Sequence, residues 1–373
     1  MTSAQRVLVH LSLLDGLTPS SMYLLVNTCI QKNIALIDLY QYSCSDFLAL
    51  GLTQKSAQAI VAGLSRLDML DSELNLIERA NAHIISIADY EYPDFLKHIG
   101  VPPLVLYLRG CFAHVCTHNL AIVGSRQGTS YGRAFIDSVM PALAKQSWTI
   151  VSGGARGIDA MAHESALNNG AQTVVVLGSG LLRVYPSENK KLFERVVEHG
   201  GCLMTPFCMK AEPEQWRFPA RNRIIAGISR GVLVVQAAAK SGAHGTASFA
   251  LDYGREVFAV PGGFNDELAA GCHSLIKQGA ALVCTAHDLM QELDPQMLSQ
   301  PKQLQLSIPE LVIPKELSLR EKIIMLCRHG ACMDDLSDSL DLPMEQIYQE
   351  LFSLQLDGII TQDFSGLFRT APF

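Results

Sequence analysis

Three short stretches join glycine, a hydroxyl and a cation: Gly124-Ser125-Arg126, Ser152-Gly153-Gly154-Ala155-Arg156-Gly157 and Lys240-Ser241-Gly242-Ala243-His244-Gly245-Thr246. Their chemistry is that of anion binding. Glycine lets backbone N–H groups approach an oxyanion closely, hydroxyls add donors, and a guanidinium forks onto phosphate. Asp159 follows the second turn, placed to cap or charge the next helix. Phe218-Pro219-Ala220-Arg221-Asn222-Arg223 adds a basic pair, readable as phosphate ligands, as a brace that fixes neighbouring loops through hydrogen bonds, or as a buried arginine–carboxylate network. Arg183, Tyr185 and Asn189 supply a cation, an aromatic face and an amide, a set that serves bases and sugars as well as phosphates. A nucleotide or polynucleotide ligand is the first inference.

These turns need elements to hold them on one edge. Apolar runs at 120–123, 148–151, 173–177, 231–235, 257–260 and 281–283 are too short for helices and rich in Val and Ile. Helix-period segments lie between them at 132–145, 158–168, 188–198, 244–253 and 272–278. Strand–helix alternation with continuously apolar strands predicts an α/β fold: a doubly wound, mostly parallel Rossmann-like sheet whose turns converge at the strands' carboxyl ends. Residues 83–110 read as two further strands around a proline-marked loop, added to the sheet edge.

The flanks differ from this core. The first 78 residues read as short helices broken at Gly16 and Gly51, each followed by Leu-Thr, like the hairpins of a sterile-alpha-motif or helix-hairpin-helix module. Residues 79–285 form the extended Rossmann-like domain, 286–316 read as a linker, and 317–373 read as three helices and a hairpin turning at Ser365-Gly366, resembling a winged helix. From residue 317 onward, four basic residues face nine acidic ones, a balance of 4 − 9 = −5 that repels a phosphate backbone and favours protein contact.

Composition narrows the function further. A chain of 373 residues with 49% hydrophobic content buries a large core and divides into two or three domains. No apolar run approaches the roughly 18 residues that span a bilayer, and the first ten residues lack a leader pattern, so a cytoplasmic protein without membrane contact is expected. Ten cysteines contain no Cys-x-x-Cys pair and suit a reducing compartment. The net charge of −7 is unevenly placed: Lys and Arg outnumber Asp and Glu over 121–285, and the acidic excess lies in the flanks.

Several enzyme signatures are absent or out of context. There is no Gly-Lys pair for an ATP phosphate loop, and Gly178-Ser179-Gly180 is not followed by the third glycine of a dinucleotide fingerprint. Gly227-Ile228-Ser229-Arg230-Gly231 has a helix-like segment before it and a strand-like one after, the reverse of a nucleophile elbow. Cys111, His114, Cys116 and His118 are too tightly spaced for paired zinc knuckles. His163 and His244 sit beside glycine turns, without a nucleophile and carboxylate at short spacing. No catalytic residue, metal or cofactor is expected.

The ordered set Gly124-Ser125-Arg126, Ser152 to Ala160, Tyr185-Pro186, Phe218 to Gly227, Ser241-Gly242 with Thr246, Gly254 to Gly262 and Leu275-Ile276-Lys277-Gln278-Gly279 resembles the DNA-processing protein A (DprA/Smf) family. The resemblance covers nearly the whole chain, flanking modules included. It implies a non-enzymatic protein that binds single-stranded DNA taken up in natural transformation by competent cells, protects it, and loads the RecA recombinase for DNA recombination, as a homodimer. Carried over, it makes Arg126 and the 152–157 turn the leading phosphate contacts, with Arg183, Tyr185 and Asn189 along the same edge and residues 240–246 closing it. Ser187 stands where relatives often carry a basic residue, and Arg183 or Lys190 substitutes. Self-association is expected near 272–278 through Leu275 and Ile276, with packing inside one subunit as the other reading. The rival is a phosphoribohydrolase-like nucleotide-binding enzyme, which needs an acid soon after its Gly-Thr turn; Thr246 is followed by Ala247-Ser248-Phe249.

Overall fold

The computed structural model describes residues 1–112, 118–293, 318–327, 331, 333–340, 342–362 and 367–370. The chain forms two compact units, Met1–Leu298 and Ser299–Phe373.

The first unit opens with α1 (Ser3–Ser12), α2 (Pro19–Gln31), α3 (Cys44–Ala49), α4 (Gln54–Leu64) and α5 (Leu67–Arg79). The repeated Gly-Leu-Thr works the same way twice. Gly16 and Gly51 take φ of 79° and 91°, open to glycine at little cost, and Thr18 and Thr53 then cap α2 and α4 by accepting from the Ser21 and Ser56 amides. The apolar faces of these helices are not closed on themselves. Leu8, Leu25, Phe47, Ile60 and Leu70 join Tyr107, Val175, Phe193 and Leu203 in one buried cluster. The helical segment and the sheet therefore share a core within one unit, and Glu73 of α5 reinforces this by accepting from the Met209 amide at 2.7 Å.

The sheet holds β1 (His83–Ser86), β2 (Val105–Gly110), β3 (Asn119–Val123), β4 (Thr149–Ser152), β5 (Thr173–Val176), β6 (Cys202–Thr205), β7 (Gly231–Val234), β8 (Glu256–Ala259) and β9 (Ala281–Leu282). Their order is β1-β2-β6-β5-β4-β3-β7-β8-β9. From β6 to β9 all pairings are parallel, while β2 pairs antiparallel to both β1 and β6. The expected parallel, doubly wound sheet with two strands added at its edge is thus present, and those two strands run antiparallel. Helices α6 (Asp94–Lys97), α7 (Ser130–Lys145), α8 (Ile158–Asn168), α9 (Lys190–Glu198), α10 (Arg217–Gly227), α11 (Gly242–Asp252), α12 (Ala270–Lys277) and α13 (Ala286–Leu293) complete the unit. The alternation of strand side chains divides the cover. Ala121, Val123, Val232 and Val234 pack on α10, α11 and α12, whereas Leu120, Ile122, Ile150 and Leu233 pack on α7, α8 and α13. Helix α13 replaces the start of the expected linker, because Leu289, Met290 and Leu293 are buried against that second face. No helix of the described residues is long and apolar enough to cross a membrane.

The second unit contains α14 (Leu319–Cys327), α15 (Met333–Leu340), α16 (Met344–Leu356) and the antiparallel pair β10 (Ile360–Gln362) and β11 (Phe368–Thr370). Three helices and a two-stranded wing are the expected arrangement; the hairpin tip at Ser365-Gly366 lies outside the described residues. Ile347, Leu351 and Leu354 of α16 face the unit's core, while Met344, Tyr348, Phe352 and Leu356, each one helical repeat apart, remain exposed.

Candidate nucleic-acid interface

β3 lies between β4 and β7, and from it the chain builds outward in both directions. This is the topological switch point of a doubly wound sheet, where the loops after adjacent strands part and leave a crevice at the carboxyl ends. A cleft of about 910 Å³ opens there, lined by Gly124, Ser125 and Arg126 after β3, by Tyr185 after β5, and by the first turns of α10 and α11. Both helices present their positive ends to it.

The turn after β4 is closed from within. Asp159, in the first turn of α8, is 6% exposed and accepts from the amides of Gly153 at 3.1 Å and Ala155 at 3.3 Å. Arg221, 5% exposed, donates through Nη1 to the carbonyls of Gly153 at 2.5 Å and of Val176, and through Nε to Asn222 Oδ1 at 3.2 Å. Burial pushes the Asp159 carboxyl above its ordinary range, with the Arg221 charge acting the other way. Burial likewise pushes Arg221 down to about 10, against the pull of Asp159. Arg221 thus braces the neighbouring loops through their carbonyls, with Asp159 near enough to act on it as a charge.

The β3 turn rests on the β4 turn. Ser125 donates its amide to the Gln236 carbonyl at 2.7 Å, and Ile158 N donates to Ser125 O at 3.1 Å. Gly157 lies at φ 73° and ψ −127°, a region essentially restricted to glycine, with its Cα against the Ser125 and Arg126 carbonyls. A Cβ there would stand 2.7 Å from the Arg126 carbonyl carbon. Gly157→Ala is therefore expected to cost about 1–3 kcal/mol in urea denaturation, and to weaken anion binding because the Ser125-Arg126 turn must shift.

The candidate residues fall into distinct groups. Arg126, Lys240 and Gly242 are exposed, Gly124, Ser125, Ser241 and Asn222 are half-buried, and all seven line the cleft. Thr246 forms part of its floor at 2% exposure. Ser241 caps α11 by accepting from Ala243 N, and no heavy atom stands near a Cβ built on Gly242 or Gly245, so that helix start is open. Tyr185 is 40% exposed and its ring centroid lies 5.7 Å from that of Phe218, above which the Arg126 guanidinium sits at 5.8 Å.

Other candidates are drawn elsewhere. Ser152, Gly153 and Gly154 are buried: Ser152 Oγ donates to the Ile122 carbonyl, the Gly153 amide is held by Asp159, and Gly154 packs against Val175 and Phe193. They form the wall behind the cleft. Arg156 and Arg183 are exposed at the rim but already paired, with Glu188 at 2.5 Å and Glu212 at 3.0 Å. Asn189 donates to the Gly154 and Ala155 carbonyls, which fixes the turn, and Lys190 is exposed beside it. Arg223 points away, donating to the Val101 carbonyl at 2.6 Å. Leu275 is a core residue at 5% exposure, so of the expected self-association pair only half-buried Ile276 offers surface.

The two histidines beside glycine turns are engaged elsewhere: His244 is half-buried with Nε2 3.3 Å from the Ala238 carbonyl. His163 is fully buried with Nδ1 2.7 Å from Thr173 Oγ1, and burial pushes it down to about 3. Ser229 is buried and donates to the Ile225 carbonyl inside the α10–β7 junction. His114 and Cys116 lie outside the described residues, and among the described residues no three His, Cys, Asp or Glu side chains cluster as metal ligands. Two contributors escaped the sequence reading. Gln236 locks the loop after β3, its carbonyl accepting from Ser125 and its Oε1 from the Thr129 amide; its signal is a polar residue directly after the buried 231–235 run. Phe218 supplies the aromatic floor under Arg126.

Comparison with known proteins agrees with this architecture. Residues 83–294 match the family described as DNA recombination-mediator protein A. DNA processing protein DprA of Bacillus subtilis is 40% identical over 210 residues, 56% of this chain and 70% of that protein. Protein Smf of Escherichia coli is 39% identical over 243 residues, 65% of this chain and 64% of that protein, a little under two thirds of its length. The structure of DNA processing protein A (DprA) from Streptococcus pneumoniae superposes with a TM-score of 0.68 at 30% identity, covering 78% of this chain and 98% of that one. That of DNA processing protein A from Helicobacter pylori, which concerns its single-stranded DNA binding mode, does so with a TM-score of 0.52 at 27% identity, covering 57% and 97%. By the extent of the family match, over the sheet that builds the cleft, the chain belongs to the DNA recombination-mediator protein A family.

Proposed function

We propose that the cleft holds single-stranded DNA, gripping phosphates with Arg126, Lys240 and the start of α11 and stacking bases on Tyr185 and Phe218, without cleaving the strand. One observation carries this reading: Arg126 and Lys240 are exposed on the same cleft as an aromatic pair, and neither is in an ion pair among the described residues. Cations without a carboxylate partner beside aromatic rings suit a polymer with phosphates and unpaired bases. The single-stranded DNA binding mode of the Helicobacter relative supports the same ligand. The carboxylate lining the cleft, Asp159, is buried and occupied by backbone amides, which speaks for a cradle over a hydrolase. In the cell the bound strand is incoming DNA of natural transformation, protected here and passed to the RecA recombinase; self-association through the α12 face that bears Ile276 joins two clefts along one strand. The acidic balance of 317–373 and the exposed side of α16 suit contact with protein more than with DNA.

The test is fluorescence anisotropy with labelled single-stranded and duplex oligonucleotides across a salt series. Single strands are expected to bind more tightly, with log affinity falling linearly in log salt by about 0.7 per phosphate contacted. Absence of single-strand binding at low salt, or turnover of nucleoside monophosphates by the purified chain, would overturn the reading.

A further inference from the structure

Trp216 is 58% exposed, at the N-cap of α10 between Gln215 and Phe218-Pro219, which line the cleft. An indole at the surface ordinarily samples several rotamers, and here contacts on several sides hold it in one. The Arg217 guanidinium lies over its ring at 4.9 Å, Phe207 meets it edge-on at 5.9 Å between centroids, and its Nε1 donates to Glu214 Oε2 at 2.7 Å. The clamp is itself anchored. Arg217 lies 5.2 Å over the Phe207 ring, donates to the Glu212 carbonyl at 3.0 Å, pairs with Glu214 at 3.0 Å, and has a side chain only 16% exposed. Indole polarity is satisfied and the cation is spent inside the cluster, so what faces solvent is aromatic surface in a fixed orientation.

We propose that Trp216 is a stacking platform for an unpaired nucleobase, extending the cleft beyond the Tyr185–Phe218 pair by at least one nucleotide. This rests on the single-strand reading of the cleft and adds where the strand runs: out over the start of α10. A base in a duplex has both faces covered by its neighbours, so the platform serves a single strand and gives discrimination that phosphate contacts alone do not.

The chain offers its own probe, because it has two tryptophans and Trp148 is 1% exposed, edge-on to His118. The full chain is titrated with oligothymidylate of about 16 nucleotides, following tryptophan emission and the anisotropy of a labelled copy in parallel. Emission should be quenched with the midpoint seen by anisotropy, remain constant with a blunt duplex, and remain constant in Trp216→Phe, which keeps a ring and most of the affinity. Trp216→Ala should bind oligothymidylate about tenfold more weakly, and an abasic oligonucleotide of the same length should bind wild type and Trp216→Ala equally. If anisotropy reports binding while emission stays constant, or if Trp216→Ala binds as wild type, the platform is wrong and the cleft reading stands. If anisotropy shows no single-strand binding at all, both fail.

Discussion

Arg221→Ala should lower the thermal midpoint by about 6–10 °C. The expectation comes from what the guanidinium leaves behind. Asp159 is a buried carboxylate whose charge Arg221 supports, and the Gly153 and Val176 carbonyls and Asn222 Oδ1 lose their donor together. Removing one member of a buried charge network costs about 3–5 kcal/mol, and in a unit of this size 1 kcal/mol moves the midpoint by roughly 2 °C. The deficit should depend on pH in a defined direction. Asp159 titrates above its ordinary range in the folded state, so the folded protein takes up that proton more readily than the unfolded one. Losing Arg221 raises it further; the deficit therefore grows as pH rises through that range and shrinks as pH falls. Adding Asp159→Asn to Arg221→Ala removes the stranded charge and should cost less than the sum of the two single changes. Differential scanning calorimetry of the four proteins across pH measures this, and strictly additive losses would show that the two groups do not support each other.

Arg126→Ala should leave the thermal midpoint nearly unchanged and weaken single-strand binding about tenfold at low salt. The side chain is exposed, and its one ring contact is with Phe218. Surface substitutions of this kind change stability by less than about 0.5 kcal/mol. Losing one phosphate contact should make the salt dependence shallower by about 0.7 in log–log slope, and Lys240→Ala should do the same. Arg156→Ala is the internal comparison. Its guanidinium is already paired with Glu188, so a phosphate must displace a carboxylate and the loss should be smaller. An Arg126→Ala protein with wild-type affinity and slope would remove the β3 turn from the binding surface.

The alternation of elements is legible because a strand covered on both faces has few residue types open to it. The runs at 120–123, 173–177 and 231–235 show this directly. β6 escapes the same reading: Cys202-Leu203-Met204-Thr205 is fully buried, yet it has no β-branched run and is no more strand-like than a stretch of buried helix. Its place between β2 and β5 depends on side chains far apart in the chain. For the site, residue type marks where backbone must approach an anion but not whose anion it is. Arg221 and Arg223 are two residues apart in one basic motif, and one serves buried carbonyls while the other holds the Val101 carbonyl. A guanidinium is the same ligand for a phosphate and for a carbonyl cluster, so only burial separates the roles. Arg126 and Lys240 stay exposed on the cleft because a cation next to a glycine turn, with no carboxylate near in sequence, has solvent as its ordinary neighbour.

The carboxylate of Asp159 occupies the Gly153 and Ala155 amides before any ligand arrives. A glycine-rich turn that waits for its ligand is commonly loose until the ligand comes, and part of the binding free energy is then lost to ordering it. This turn carries its own template and is already set, so the ordering cost on the protein side is confined to exposed side chains such as Arg126 and Lys240. If a single strand is the ligand, its encounter with the cleft should need no folding step in this turn.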